Sequence, residues 1–377
     1  MTGHPHAQAH PPGTPVTQAP EDLAGRLLAA SDEELAAILA AADQADIAMH
    51  QPGGLPVGGP VSRAAPGTAE IMLLGALGCR YGMLAGGAGG YLLRTPATTV
   101  LVDPGPAAHA ILTGLNKRLF SWGELDAIVC THFHPDHYAG IIPCLEAMAS
   151  HAAPGQRKTL AANPTAAAKF AAFSPYHVGG MADLVTLAHP ATDGDGESSV
   201  KVGDLVIHAV PAAHAEEPGR MHSAIGLVFE TPAGGIWHTS DTTLADGLLD
   251  AVADVVPGLG LVVAHADASN IGTDPGRATV CHLQTRDVLP IASILRPRHV
   301  LIQHYDAAYS TPDYRIAQAI WLQRQLDVQQ LPTQVLPGVS GLRLTLSPSG
   351  IRDWDIFLES SVAPAISSYL RSALSGN

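Results

Sequence analysis

Charge is scarce in this 377-residue chain: Asp, Glu, Lys and Arg make up 14% of it, against about 25% in an average soluble domain. The charged set is also lopsided, with 20 basic and 34 acidic side chains and a net charge of −14. Lys and Arg never gather beyond pairs such as Arg296-Pro297-Arg298. Long nucleic acid is therefore a poor expected partner, because its binding rests on neutralising many phosphates. No apolar run approaches the ~18 residues of a membrane span. The first twenty residues lack the basic start and apolar core of a secretory signal, which leaves the cytoplasm as the expected compartment. The four cysteines, Cys79, Cys130, Cys144 and Cys281, lie far apart without a C-x-x-C pair. They are too few to staple a chain of this length and are expected to be buried thiols.

Small and chain-breaking residues are abundant instead, with 38 Gly and 30 Pro beside a hydrophobic share of 46%. Residues 1–20 carry five prolines together with His4, His6 and His10, and are expected to be a disordered tail. Over residues 21–49, Leu23, Leu27 and Leu28, then Leu35, Ile38 and Leu39, recur at helical spacing, with Ser31 and Glu34 as a capping box between two short helices. Residues 50–67 read as a Gly/Pro linker. The main domain is expected over 68–350 and a helical extension over 351–377.

Within the domain, the runs EIMLLGALG, GGYLLRT and TTVLVDPG read as consecutive strands. DAIVC (126–130) is a buried strand, followed by a helix carrying Ile141, Ile142, Leu145 and Met148. Further strands are expected in DLVTLA, DLVIHAVPA, AIGLVFET, GGIWHTSD, LGLVVAHA and RHVLIQHYD, with a helix around 284–295. A helix near 312–328, a strand pair near 334–347 and a last helix after Ala363 close the chain. Runs of strands that later alternate with helices indicate a layered α/β or α+β domain.

Histidine is the one functional residue in excess, 19 in all. Three of them and a carboxylate fall in Thr131-His132-Phe133-His134-Pro135-Asp136-His137, directly after the DAIVC strand. Side chains alternate along an extended segment, so His132 and His134 point the same way, while Asp136 and His137 open the next helix and face a neighbouring point. That geometry suits two adjacent metal ions. Imidazole and carboxylate ligands with open positions suit a hydrolytic ion that keeps a water, whereas closed structural zinc sites favour Cys-rich sets.

His132-x-His134-x-Asp136-His137 resembles the metal motif of the metallo-β-lactamase fold superfamily. The resemblance continues in order through Asp103 in VLVDPG, His214 in AVPAAH, Asp241 in IWHTSDT and His304 in VLIQHYD, over about residues 69–310. It implies a four-layer αβ/βα sandwich with the metal site at one edge of two sheets. Carried over by position, it implies one ion held by His132, His134 and His214, a second held by Asp136, His137 and His304, and Asp241 bridging both. It further implies a hydroxide shared by two divalent ions, which Asp136 orients. Zinc is the first expectation, with manganese or iron as alternatives. Asp103 would support a ligand loop, or simply end a strand before Pro104-Gly105.

Other residues carry weaker expectations. His282 lies where related hydrolases place a proton donor for the leaving group, and is the second catalytic candidate beside Asp136. Tyr176 and His177, in the long insert before His214, are candidate substrate contacts. His208 reads as structural, His238 as core or ligand support, and His265 as either core or a residue lining the cleft. The glycines of residues 85–90 lack a following G-K-[ST] and read as a flexible loop near the metal edge.

Asp241-Thr242 in S-D-T, with His282 upstream of HVLIQHYD, resembles the phosphodiesterase and tRNA-processing branch. The leading expectation is a hydrolase acting on a small phosphodiester or phosphorylated molecule. A lactonase or other carboxylic-ester or amide hydrolase using the same metals is the alternative, and a non-catalytic metal-binding interaction module is the third. The apolar helical faces of residues 21–49 are compatible with a homodimer.

Overall fold

In β1 (Ala69–Leu73), Ile71 and Leu73 face one side while Met72 and the following Leu74 face the other, and all four are fully buried. A strand apolar on both faces needs cover on both. The same holds in β2 (Tyr91–Arg94), β3 (Thr99–Val102), β4 (Ala127–Cys130) and β5 (Lys158–Ala162), and the sheet continues to β6 (Ala182–Thr186). The second sheet is built from β7 (Ser199–Val202), β8 (Leu205–Pro211), β9 (Ile225–Thr231), β10 (Gly234–His238), β11 (Leu259–Ala268), β12 (Leu283–Gln284), β13 (His299–Gln303) and β14 (Gln334–Pro337). The chain then returns to the first sheet through β15 (Leu342–Ser347) and β16 (Gly350–Ile356). This computed structural model describes residues 63–374 apart from 117, 154, 218–221, 269–281, 306–310 and 359–362, together with 31–34, 36, 37, 40 and 41.

Strand order is β16-β15-β1-β2-β3-β4-β5-β6 in the first sheet and β14-β13-β11-β10-β9-β8-β7 in the second, with β12 beside β11. Each sheet is antiparallel where hairpins join its strands and parallel from β3 to β6, and from β10 through β11 and β13 to β14. Residues such as Val100, Val129, Leu227, Val263 and Leu301 fill the space between the sheets. The outer face of the first sheet is covered by helices Ala108–Leu115, Ile141–Ser150 and Pro164–Phe173. Helices Leu248–Val255, Val288–Leu295 and Pro312–Val328 cover the second. The result is the four-layer αβ/βα metallo-β-lactamase sandwich.

Several boundaries differ from the sequence-based expectation. Residues 351–356 are not helical extension; they complete β16, paired antiparallel with β15, because Trp354 and Ile356 pack on the inter-sheet core. The helix Ala363–Leu374 buries Ile366 and Leu370 in that same core. The segment 334–347 is not a strand pair: β14 joins β13 in the second sheet and β15 joins β1 in the first. Part of the linker, too, is docked, since Arg63 donates to the carbonyls of Ala97 and Glu124 and to Asp126 Oδ2. At the amino-terminal appendage the capping box forms, with Ser31 N–H donating to Glu34 Oε2 at 2.7 Å and Glu34 N–H to Ser31 Oγ at 3.2 Å. The tail, the remaining appendage, residues 50–62 and Cys281 lie outside the described residues. Among the described residues, no helix is long and apolar enough to cross a membrane.

Candidate metal centre

The chemistry-bearing residues sit where strands end. Asp103 follows β3, His132–His137 follow β4, His214 follows β8, Asp241 follows β10 and His304 follows β13. Carboxyl ends of strands are where open α/β sheets bind ligands. Strain gathers there too. Among the described non-glycine residues with positive φ, Cys79, Asp103, Ser240 and His304 all touch this region, at +55°, +47°, +57° and +64°. Such conformations are uncommon without glycine and persist only where surrounding contacts fix them.

Two donor groups meet at one carboxylate. In the first, His134 Nδ1 lies 3.1 Å from His132 Nε2 and 3.0 Å from His214 Nε2. Asp241 Oδ2 is 3.5 and 3.8 Å from the same His132 and His214 nitrogens. In the second, His304 Nε2 lies 3.2 Å from His137 Nε2 and 3.1 Å from Asp136 Oδ2. Asp241 completes it, with Oδ1 3.3 Å from His304 and Oδ2 3.3 Å from His137. A tetrahedral zinc with ligands at 2.0–2.1 Å holds its donor atoms roughly 3.4 Å apart. The donor atoms of His132, His134, His214 and Asp241, and those of His137, Asp241, His265 and His304, lie within 4.8 Å of one another in each set, with Asp136 Oδ2 beside His137 and His304 in the second, and imidazole nitrogens cannot converge this way as mutual donors and acceptors throughout. The residues present therefore fit a cation in each group.

A buried framework holds them. Asp103 accepts from Thr131 N–H at 2.8 Å and Thr131 Oγ1 at 2.6 Å, and its Oδ2 lies 2.9 Å from His137 Nδ1 and 3.3 Å from His238 Nε2. Burial works against its charge, but His137 and His238 hold its carboxyl well below the usual carboxylate range. Asp136 and Asp241 are held low in the same way, against burial, by His137 and His304 around each of them. Burial likewise disfavours charge on His137, yet Asp241, Asp136 and Asp103 raise its pKa well above the ordinary value. His132 is driven the other way, mainly by burial and then by His137. Fixing these rings in place makes them better ligands.

Some of the framework was invisible in the sequence. Glu216 accepts from Phe133 N–H, inside the ligand loop, and from Asn163 Nδ2 at 2.8 Å. Gln303 Nε2 donates to His265 Nε2 at 2.9 Å, which leaves the His265 proton on Nδ1, 2.8 Å from Asp241 Oδ1. His265 thus stands in the cleft, supporting Asp241. The position of Glu216 two residues after His214, and of Gln303 one before His304, was the only available signal.

The remaining candidates divide. His282 is at the centre, its Nε2 3.1 Å from Asp241 Oδ2 and its ring stacked on His214 with centroids 5.3 Å apart. The structure does not bring Tyr176 and His177 there: His177 bonds Ser174 Oγ and Glu146 Oε2 at 2.7 and 2.9 Å, and Tyr176, 69% exposed, packs edge-on against His177. His208 forms a cross-strand pair with Glu230 at 2.5 Å, and His238 is fully buried beneath Asp103. Cys130 and Cys144 are buried, but Cys79 is only half-buried, and its N–H donates to Asp136 Oδ2 at 2.8 Å. The 85–90 loop is exposed at Ala85 and Gly86 but packed at its end: a Cβ on Gly90, where φ is +64°, would lie 2.1 Å from the Val102 carbonyl oxygen. Close backbone approach explains glycine at Gly90, and the positive φ of +66° explains it at Gly86.

Residues 98–305, more than half of the chain, match the Beta-lactamase superfamily domain. The chain belongs to that superfamily. No curated protein matches it in sequence. Among solved structures it is similar to the metallo-beta-lactamase fold protein YhfI from Bacillus subtilis, with TM-score 0.53 and 16% identity over 74% of this chain and 99% of that one. Unliganded yeast PDE1 gives TM-score 0.53 and 13% identity over 74% and 99%. A diphosphatase from the PhnP family gives TM-score 0.51 and 16% identity over 74% and 97%. At these identities the likeness is one of fold.

Proposed function

We propose that the protein is a hydrolase with a dinuclear metal centre, acting on a small phosphodiester or other phosphorylated molecule. The observation that carries this reading is Asp241, one carboxylate common to two donor groups. His132, His134 and His214 would hold one ion and Asp136, His137 and His304 the other, with zinc the first choice and manganese or iron alternatives. Divalent ions bound there supply a water that ionises near neutral pH and positive charge for phosphate oxygens. Asp136 Oδ2, fixed by the Cys79 N–H, stays in place to accept a hydrogen bond from the attacking water. His282, at the edge of the cluster beside Asp241 and His214, is the proton donor to the leaving oxygen.

A small substrate follows from the net charge of −14, which repels polyanions. The similar fold of a diphosphatase agrees with phosphorus chemistry. We also expect a cytoplasmic protein, and a homodimer is compatible with the helical spacing of apolar residues in the sequence 21–49.

The alternative is carbonyl chemistry, a lactonase or other ester or amide hydrolase, for which the same donor groups would serve.

The test is metal content by plasma mass spectrometry, run beside hydrolysis of bis(p-nitrophenyl) phosphate and a lactone panel, with Asp136→Asn as control. About two ions per chain and diester cleavage lost in the variant are expected. Lactone turnover alone would move the assignment to carbonyl chemistry, and a metal-free wild type would remove its basis.

A further inference from the structure

At the opposite end of β13 from His304, the structure opens a cavity of about 570 Å³ between the long helix Pro312–Val328, the edge strand β14 and the last helix. Six residue steps of extended chain carry Arg298 to His304, about 20 Å, so this cavity is no part of the metal centre. Arg296, Arg298 and Arg324 all line it, and none of its fourteen lining residues is Asp or Glu. In a chain with 20 basic side chains and a net charge of −14, that is a marked local reversal of sign.

Each arginine is delivered by a different element. Arg296 ends the helix Val288–Leu295 in the left-handed conformation, at φ +47°. Arg298 leads into β13 and donates one guanidinium N–H to the Pro348 carbonyl. Arg324 projects from the long helix. Among the described residues, no carboxylate lies within ion-pair distance of any of the three. Asp327, three residues beyond Arg324 on the same helix, accepts at Oδ1 from Gln323 Nε2 at 3.0 Å. Burial, and then Asp327, push the Tyr369 hydroxyl pKa up. The cavity floor adds Pro297, Ile320 and the Tyr369 ring.

We propose that this cavity is a second binding site, for a small phosphate monoester with an apolar or aromatic body. Guanidinium groups pair with phosphate oxygens through two parallel hydrogen bonds, and three of them around one cavity match a dianionic head group. The volume falls within the 300–1,000 Å³ of small-molecule pockets and far exceeds a bare phosphate ion. The apolar floor gives the remainder of such a ligand its contact area.

The test is calorimetric titration of AMP, with inorganic phosphate as a second probe, into the full-length protein at low and high salt. A site with a dissociation constant below about 1 mM is expected besides any occupancy of the metal centre, weaker at high salt, with inorganic phosphate binding less tightly than AMP. Arg296→Glu with Arg324→Glu should weaken AMP by about tenfold or more. Arg324→Gln, a single change on an exposed helical position, should weaken it by a smaller factor in the same direction. His134→Ala, which dismantles the first donor group, should leave the affinity unchanged. AMP binding that survives both arginine variants but disappears in His134→Ala places the ligand at the metals and overturns the proposal. So does the absence of any binding up to about 10 mM.

Discussion

The two donor groups share Asp241 but are held differently. Behind Asp136, His137 and His304 stands a dense buried frame: Asp103 on His137, the Cys79 N–H on Asp136, and His265 with Gln303 bracing Asp241 from the same side. His132, His134 and His214 mostly face one another, with Thr131 Oγ1 3.2 Å from His132 Nδ1 and His134 partly open to solvent. A group whose ligands are fixed in advance gives up less conformational freedom on binding an ion. The second group is therefore expected to hold an ion more tightly and the first to exchange one more readily.

The largest effect should come from breaking what the groups share. Asp241→Ala is expected to empty both, taking metal content toward zero and hydrolysis down by about a thousandfold or more; an unchanged metal content would show that the groups are independent. His134→Ala should separate them. Plasma mass spectrometry should find about one ion per chain remaining, and loss of both would mean the first group leads. Asp103→Asn attacks the frame of the second group directly through His137, and competition with a chromophoric chelator should show its ion held about 10–100-fold more weakly, with a smaller effect on the first group, which Asp103 reaches only through Thr131.

The smallest effect removes a background from acid-unfolding comparisons of the two groups. His299, far from both, is pushed down to about 4 by burial, with Arg298 adding to the depression. Between about pH 6.5 and pH 4 the unfolded chain takes up a proton at this ring that the folded chain refuses, so stability falls as pH drops through that window. Above it the residue makes no pH-dependent contribution. His299→Gln should flatten that part of the stability profile in denaturant titrations, leaving the carboxylates Asp103, Asp136 and Asp241, held low when folded, to govern the steeper acid loss below it. A profile unchanged by the substitution would show that His299 is not the group responsible.

The sandwich was legible because its strands are buried on both faces and read as short apolar runs between turn residues, as in EIMLL and DAIVC. The grouping of His132, His134, Asp136 and His137 was legible because spacing within one loop fixes direction. That His214, Asp241 and His304 meet them depended on a resemblance, since no local pattern joins residues so many dozens of positions apart. Glu216, Asn163 and Gln303 went unseen because single polar residues in loops carry no period. The β16 strand was missed for a related reason: GIRDWDI alternates charge with only Ile351, Trp354 and Ile356, a weak signal until β15 lies beside it.

The two sheets are also stitched together beside the metal centre. Gly78 N–H donates to the Tyr305 carbonyl at 3.0 Å and Tyr305 N–H to the Ala76 carbonyl at 2.9 Å, while Gly78 lies so flat on the His304 ring that a Cβ would come within 2.3 Å of it. This seam ties the loop after β1 to the loop after β13, so the halves of the centre cannot part without these amides opening to water. Their hydrogen exchange is accordingly a clock for the integrity of the site that needs neither substrate nor turnover. It should slow when metal is added, and a rate indifferent to metal would mean that the halves stay joined whether or not ions hold them.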